Sequence, residues 1–226
     1  QQIKVMSMLL RKCAKANLVV PTLKREAAGE GGYEGATVIE PKKAYYQDPI
    51  ATLDFASLYP SIMMAYNLCY STLVPRQAKA KLAELGHAAA DSPSGDTFVT
   101  RETHRGLLPQ ILEELLAARK RAKRDMKAAT DPMEKAVQNG RQLALKVSAN
   151  SVYGFTGATV GQLPCLPIAS SVTAYGRELL FQTKKEVESR YTVENGYKSD
   201  AVVVYGDTDS VMIKFGAGDV GQTMPL

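Results

Sequence analysis

Tryptophan is absent from this 226-residue chain, histidine occurs twice, cysteine three times, and no apolar run is long enough to span a membrane. Each shortage excludes something. Cys13, Cys69 and Cys165 are far apart, odd in number and without a C-x-x-C pair, which argues against a disulfide framework and against a zinc knuckle. They read as reduced intracellular thiols. His87 and His104 lack metal-ligand spacing and are expected at the surface, and no signal peptide is recognisable. The charge excess is slight: 28 Lys and Arg against 23 Asp and Glu give +5 and a pI near 9.0, compatible with a nucleic-acid partner without demanding one. Aromatic content rests on 11 Tyr and 5 Phe, which serve stacking on bases as well as core filling. A 45% hydrophobic chain of this length buries a sizeable core, as one large domain or two smaller units.

What is present in quantity near the C-terminus is β-branched sequence. Ala201-Val202-Val203-Val204-Tyr205 leads into Gly206-Asp207-Thr208-Asp209-Ser210 and out through Val211-Met212-Ile213-Lys214-Phe215. Apolar runs on both sides of a short Gly- and Asp-bearing stretch predict an antiparallel hairpin. Asp207 and Asp209 are two residues apart, so an extended backbone points both to one side. Crowded carboxylates repel unless a divalent cation neutralises them, and Mg²⁺ takes one or two carboxylates together with substrate phosphates. Standing alone, such a tip reads as an ordinary Asp-rich turn. A second short strand, Pro49 to Leu53, also ends in an acid, Asp54, followed by Phe55-Ala56-Ser57-Leu58-Tyr59-Pro60. Asp54 by itself also suits a helix N-cap. Residues 57 to 59 fall where strand gives way to helix, and free backbone N–H groups there can hold phosphate oxygens.

Between these acidic segments, residues 107 to 127 carry apolar positions 108, 111, 112, 115, 116, 122 and 126 at helical spacing, with a basic face that includes Arg119 and Lys123 at i and i+4. Thr130-Asp131-Pro132 breaks and restarts the helix, which predicts a helical hairpin. On the returning arm Lys146, Asn150 and Tyr153 share a face, and Gly154 opens a gap beside the ring. Arg119, Lys123 and Lys146 suit the charge-assisted donors that a triphosphate needs; Lys120, Arg121, Arg124 and Lys127 are expected to be solvated. Residues 1 to 16 read as an amphipathic packing helix with Ile3, Met6, Leu9, Leu10 and Cys13 on one side, and Ile168 to Tyr191 as a scaffold helix capped near Ser170 or Ser171.

Three motifs, DFASLYPSI at 54 to 62, KVSANSVYG at 146 to 154 and YGDTDS at 205 to 210, occur in the order found in family B DNA polymerases. Matching wording continues through Asn67 to Tyr70, Gly140 to Leu145 and Phe155 to Thr159, so the resemblance to that family covers nearly the whole chain. Residues 76 to 101 resemble it least and read as a variable surface insertion. The resemblance implies an α+β fold: a palm, meaning an antiparallel sheet backed by helices, with an inserted antiparallel helical fingers hairpin. Residues 1 to 104 would form the first part of the palm, 105 to 154 the fingers and 155 to 226 the rest of the palm. The start at Gln1-Gln2 without methionine suggests a fragment, with the exonuclease, thumb and cysteine-rich regions of the family outside it.

The implied reaction is template-directed DNA synthesis with two Mg²⁺ ions, and no zinc or iron–sulfur site in this segment. Asp54, Asp207, Asp209 and Lys146 would be catalytic, with Asp54, the Phe55 carbonyl and Asp209 on the metals. Ser57, Leu58, Tyr59, Arg119, Lys123, Lys146 and Asn150 would bind the nucleotide, Tyr59 acting as the gate against ribonucleotides. Tyr33 and Gly35, in a small Tyr-Gly motif, would touch DNA, as would Tyr153, Gly154, Thr208 and Lys214. Implied partners are primer–template DNA, dNTPs, and accessory replication subunits and a sliding clamp reached through other regions. The implied compartment is the nucleus, and no membrane partner is expected. The competing readings are another paired-aspartate palm enzyme, such as a reverse transcriptase or nucleotidyl cyclase, and a non-catalytic nucleic-acid-binding module derived from a polymerase.

Overall fold

The computed structural model describes residues 2–21, 32–158 and 161–223. Residues 1 and 224–226, at the ends of the sequence patterns above, lie outside them, as do 22–31 and 159–160. Helices and antiparallel sheets are mixed, in agreement with the expected α+β class. The chain divides into two compact units, each assembled from two stretches: Gln1–Tyr33 with Tyr59–Val172, and Glu34–Leu58 with Thr173–Leu226.

The first unit begins with α1 (Gln2–Lys15), on which Val5, Leu9 and Cys13 are buried, whereas Ile3 and Leu10, expected beside Leu9 and Cys13 on the packed face, are exposed and Met6 is half-buried. A short helix α2 (Leu58–Ala65) belongs to it from Tyr59 onward. Next comes a three-stranded antiparallel sheet in the order β3 (Leu73–Val74), β5 (Thr97–Val99), β4 (Ala89–Asp91), with α3 (Lys79–Glu84) between β3 and β4. Here the structure departs from the surface insertion expected at 76–101. Residues 79–91 are largely exposed, but β5 is buried along its whole length. Asn67 explains the anchoring. Buried and left-handed at φ +55°, it donates from Nδ2 to Val99 C=O (2.9 Å) and His104 C=O (2.7 Å), and accepts Gly106 N–H at Oδ1 (2.8 Å). One side chain ties the end of α2 to the sheet and to the next helix. Asn67→Ala would strand two buried backbone groups, the Val99 carbonyl and Gly106 N–H, at about 1 to 3 kcal/mol each before relaxation, and would release the part-buried His104 carbonyl. A loss of roughly 3 kcal/mol in urea unfolding, with unchanged m, is the expected result.

The hairpin predicted around Asp131 is formed by α4 (Leu107–Ala128) and α5 (Pro132–Gly157). Asp131 caps α5, its carboxylate accepting Glu134 N–H at 3.1 Å, with Pro132 in the first turn. Burial is concentrated at the root, at Leu107, Leu108, Ile111 and Leu112 on α4 and at Val152, Phe155 and Thr156 on α5. Leu115, Leu116 and Met126, expected on the packed face, are only half-buried. The turn end is almost wholly exposed, so the hairpin is anchored at one end by packing that includes the Lys12–Glu114 ion pair (2.5 Å) between α1 and α4.

The second unit is a four-stranded antiparallel sheet in the order β1 (Val38–Ile39), β6 (Val202–Asp207), β7 (Ser210–Lys214), β2 (Ile50–Asp54). The helix α6 (Leu166–Arg190) belongs to it from Thr173 onward, and α7 (Val220–Thr223) ends the described chain. Leu180 and Val187 of α6 pack with Ile39, Val203, Val211 and Ile213 in one core, so the helix covers one face of the sheet, as its scaffold reading required. Ser170 and Ser171 do not cap α6. They lie inside it, donating back to Leu166 C=O (2.8 Å) and Pro167 C=O (2.6 Å). Among the described residues no helix is long and apolar enough to cross a membrane.

Candidate active site

The sheet of the second unit has a covered face and an open one, and its acids are on the open one. In register, Asp54 pairs with Ser210, and Ser210 with Asp207. Residues in register across antiparallel strands share a face, so Asp54, Ser210 and Asp207 form one row. The preceding row on that face is Thr52, Met212 and Tyr205, and the rows between, such as Ala51, Ile213 and Val203, face the core. Asp54 and Asp207 are both exposed, two strand spacings apart, or about 9 to 10 Å between Cα atoms.

Simple alternation along β6 does not put Asp207 there. Counting by twos from buried Val203 would send it into the core. A bulge intervenes: Val203 pairs with Ile213 and Tyr205 with Met212, leaving Val204 as the extra residue. The Val204 carbonyl, freed from the ladder, accepts Lys42 N–H at 2.8 Å. The bulge reverses the parity, Gly206 turns inward, and Asp207 turns out. A side chain at Gly206 would be tight, since a Cβ would lie 3.0 Å from Ile39 Cδ1 and 3.3 Å from the Ser210 carbonyl.

Asp209 does not continue the strand, so the extended geometry expected to align it with Asp207 does not apply. Thr208 and Asp209 are the turn. Thr208 has φ +53°, uncommon for a β-branched residue, and Asp209 N–H donates to Asp207 C=O at 2.5 Å across it, a γ-turn of the rarer hand. Two backbone bonds hold this strained tip: Thr208 N–H to Thr37 C=O (3.1 Å) and Phe55 N–H to Asp209 C=O (2.8 Å). The second joins the segment just after Asp54 to the hairpin tip. Ser57, three residues beyond Asp54, is also left-handed, at φ +54°. The Asp207 carboxylate accepts Thr208 Oγ1–H (2.8 Å) and lies 3.5 Å from Tyr205 Oη.

Three acids from two segments of the chain thus lie at one end of the sheet. Their donors are hard oxygens, open to water, the chemistry of a site for Mg²⁺ or a similar ion. Among the described residues no group of three or more His, Cys, Asp or Glu is arranged to hold a metal ion. Mg²⁺ does not require such a group, because it keeps waters and shares its coordination with substrate phosphate.

Lys214, expected near the primer end, forms an ion pair with Asp48 at 2.9 Å at the far end of the strand from the acids. Gly35 is exposed, and its carbonyl accepts from Arg177 Nη1 (2.6 Å), which also takes Glu34 C=O (2.9 Å). Sequence reading missed Arg177, because a lone arginine on a scaffold helix carries no motif.

Within the first unit the hairpin register sets Arg119 beside Gln142, its Nε donating to Oε1 at 3.5 Å. Lys123, Lys146 and Asn150 are exposed along the two arms, as are Lys120, Arg121, Arg124 and Lys127. Tyr153 is clamped. Its ring meets Tyr59 with centroids 4.5 Å apart and planes at 50°, and its hydroxyl is 3.0 Å from that of Tyr33. Burial, and then the Tyr33 hydroxyl, push the Tyr153 phenol well above the ordinary tyrosine range. Gly154 is exposed, with open space where a Cβ would stand. Gly157 makes room for Tyr33, since a Cβ there would lie 2.8 Å from its Oη. The signal for Gly157 was available in the sequence, one helical turn beyond Tyr153.

Comparison with known proteins agrees with the motifs. The family model for DNA polymerase family B matches residues 1–226, and the chain belongs to that family. It is 61% identical over 226 residues to the DNA polymerase delta catalytic subunit of Oryza sativa subsp. japonica. It is 62% identical over the same length to that of Arabidopsis thaliana, and 59% identical over 230 residues to that of Drosophila melanogaster. All of the chain is covered in each comparison, against 20%, 21% and 21% of those relatives, so it spans about a fifth of their length.

Proposed function

We propose that this chain carries the nucleotidyl-transfer centre of a replicative DNA polymerase acting in the nucleus, on primer–template DNA and dNTPs. The observation that carries the proposal is the gathering of Asp54, Asp207 and Asp209 at one end of an open sheet face, from segments bearing two of the family's motifs. In this reading the second unit is the core of the palm and the α4–α5 hairpin is the fingers. Accessory subunits and a sliding clamp would engage the longer protein elsewhere.

Asp54, the Phe55 carbonyl and Asp209 would hold two divalent ions, with Asp207 beside them. Such ions, when bound, supply polarisation of the attacking hydroxyl and neutralisation of phosphate charge. The chain's own part is positioning and electrostatics. The Phe55-to-Asp209 bond keeps the ends of two strands together and so fixes the backbone that carries their acids. Arg119, Lys123, Lys146 and Asn150 offer donors to the triphosphate, and the backbone around Ser57, Leu58 and Tyr59 offers N–H groups at the start of α2. In the reaction the primer 3′-oxygen forms a bond to the α-phosphorus as the bond to the β-phosphate oxygen breaks. The hydroxyl proton leaves to solvent, and Lys146 protonates the departing pyrophosphate. Tyr153, Gly154, Tyr33, Gly35, Thr208 and Lys214 would contact DNA through shape and phosphate, because the template specifies the base.

Primer extension by the full-length protein tests this. Activity should vanish with EDTA, return with Mg²⁺, and fall by about 100-fold or more in Lys146→Ala, a loss of about 2.7 kcal/mol in transition-state stabilisation. Primer–template binding without extension by the wild type would instead support the non-catalytic module.

A further inference from the structure

The chain's three thiols have no part in the proposed reaction, and they converge. Cys13 of α1, Cys69 just beyond α2 and Cys165 just before α6 line one cavity of about 440 Å³ within the first unit, with Leu9, Tyr70 and Leu163. Cys13 and Cys69 are buried and Cys165 half-buried. Among the described residues no Lys, Arg, His, Asp or Glu lines the cavity, and the Tyr70 hydroxyl is already committed, donating to Leu163 C=O at 2.6 Å. Burial, before any other cause, raises the Cys13 and Cys165 pKa values above the ordinary 9.0, so these two thiols stay neutral at physiological pH. Free thiols in such surroundings behave as small hydrophobes.

We propose that this cavity is a binding site for a small, uncharged, apolar molecule, and that its occupant acts on the root of the α4–α5 hairpin. Its volume lies within the range of about 300 to 1,000 Å³ usual for small-molecule sites, too little for a protein helix about 10 to 12 Å across with flanking side chains. A charged ligand would lose its hydration and find no counter-charge among the described lining residues. Leu18 and Val19 also line the cavity, and an apolar occupant would cover part of their exposed surface.

The link to the hairpin runs through Cys69. Its sulfur accepts Leu108 N–H at 3.3 Å in the first turn of α4, and Gly106 sits so close that a Cβ would lie 2.7 Å from Cys69 Cβ. Leu107, between them, itself lines the cavity. A molecule that touches Cys69 and Leu107 therefore touches the first turn of α4 directly. The coupling needs no change at the acids of the second unit, and binding can be read whether or not the protein synthesises DNA.

The probe is N-phenyl-1-naphthylamine, uncharged and fluorescent in apolar surroundings, titrated into the full-length protein. Cys165 is alkylated in parallel with iodoacetamide near pH 9, to supply thiolate, and located by peptide mass spectrometry. The expected result is saturable binding that slows Cys165 alkylation about tenfold when free probe is ten times its Kd. The anionic analogue 1-anilinonaphthalene-8-sulfonate should give no protection. Cys165→Phe, which fills the cavity, should raise the Kd at least tenfold, whereas Cys165→Ala should leave it within about twofold. Absence of saturable binding, undiminished Cys165 alkylation with probe bound, or unchanged affinity in a folded Cys165→Phe protein would each overturn the proposal. If Cys165→Phe does not fold, the alkylation result on the wild type decides alone.

Discussion

Asp54→Asn and Asp209→Asn should each lower primer extension by the full-length protein by roughly a thousandfold or more, equivalent to about 4 kcal/mol in the activation barrier. Each change keeps the side chain's shape and removes a formal negative charge. That position then keeps only a neutral amide oxygen, and the end of the sheet, with two carboxylates left, attracts a divalent ion less strongly. Thermal stability should scarcely change for Asp54→Asn, since Asp54 is exposed on the open face and away from the core of Val203, Val211 and Ile213. Glu40→Gln, which also removes an exposed carboxylate in the second unit, is the control and should extend primers normally. Comparable losses in all three variants would mean that overall charge, rather than the row at Ser210, supports activity.

Tyr59→Ala should admit ribonucleotides, reducing discrimination between deoxy- and ribonucleotides by about 100-fold, or about 2.7 kcal/mol. The reason is rigidity. The Tyr59 ring is pinned against Tyr153, which is held in turn by the Tyr33 hydroxyl, so an added 2′-hydroxyl would meet a wall that cannot swing away. Tyr59→Phe keeps the ring and should keep the selectivity. Tyr33→Phe removes the hydroxyl that holds Tyr153 and should lie between the two. Unchanged sugar selectivity in Tyr59→Ala would remove the gate from Tyr59, without touching the assignment of the acids.

Much of the fold was legible because the sequence obeys simple periodicities. The capped break at Asp131-Pro132, the β-branched hairpin and the amphipathic α1 each rest on local rules of capping, alternation or 3.6-residue spacing, and each lies where those rules put it. Long-range choices were not legible. Nothing local shows that β5 would be buried through Asn67, thirty residues earlier in the chain, so residues 76–101 read as pure surface. Ser170 and Ser171 looked like caps because their hydroxyls suit that role, but helical backbone already extended upstream to Leu166.

The candidate site was legible by residue type and less so by geometry. Asp54, Asp207 and Asp209 stood out as acids at strand ends, yet alternation predicted the wrong relation among them. The bulge at Val204 sets which way Asp207 faces, and its only trace is an unbroken run of three valines in a strand with one covered face. Asp209 was aligned with Asp207 by an extended backbone that the turn at Thr208 replaces.

The most direct test of the central claim counts ions. Mn²⁺ substituted for Mg²⁺ can be titrated by electron paramagnetic resonance into the full-length protein bound to primer–template and a non-hydrolysable dNTP. Two bound ions per protein in the wild type, with at least one lost in Asp54→Asn, is the predicted result. Equal occupancy in the two proteins would contradict it and move the metal chemistry away from this end of the sheet.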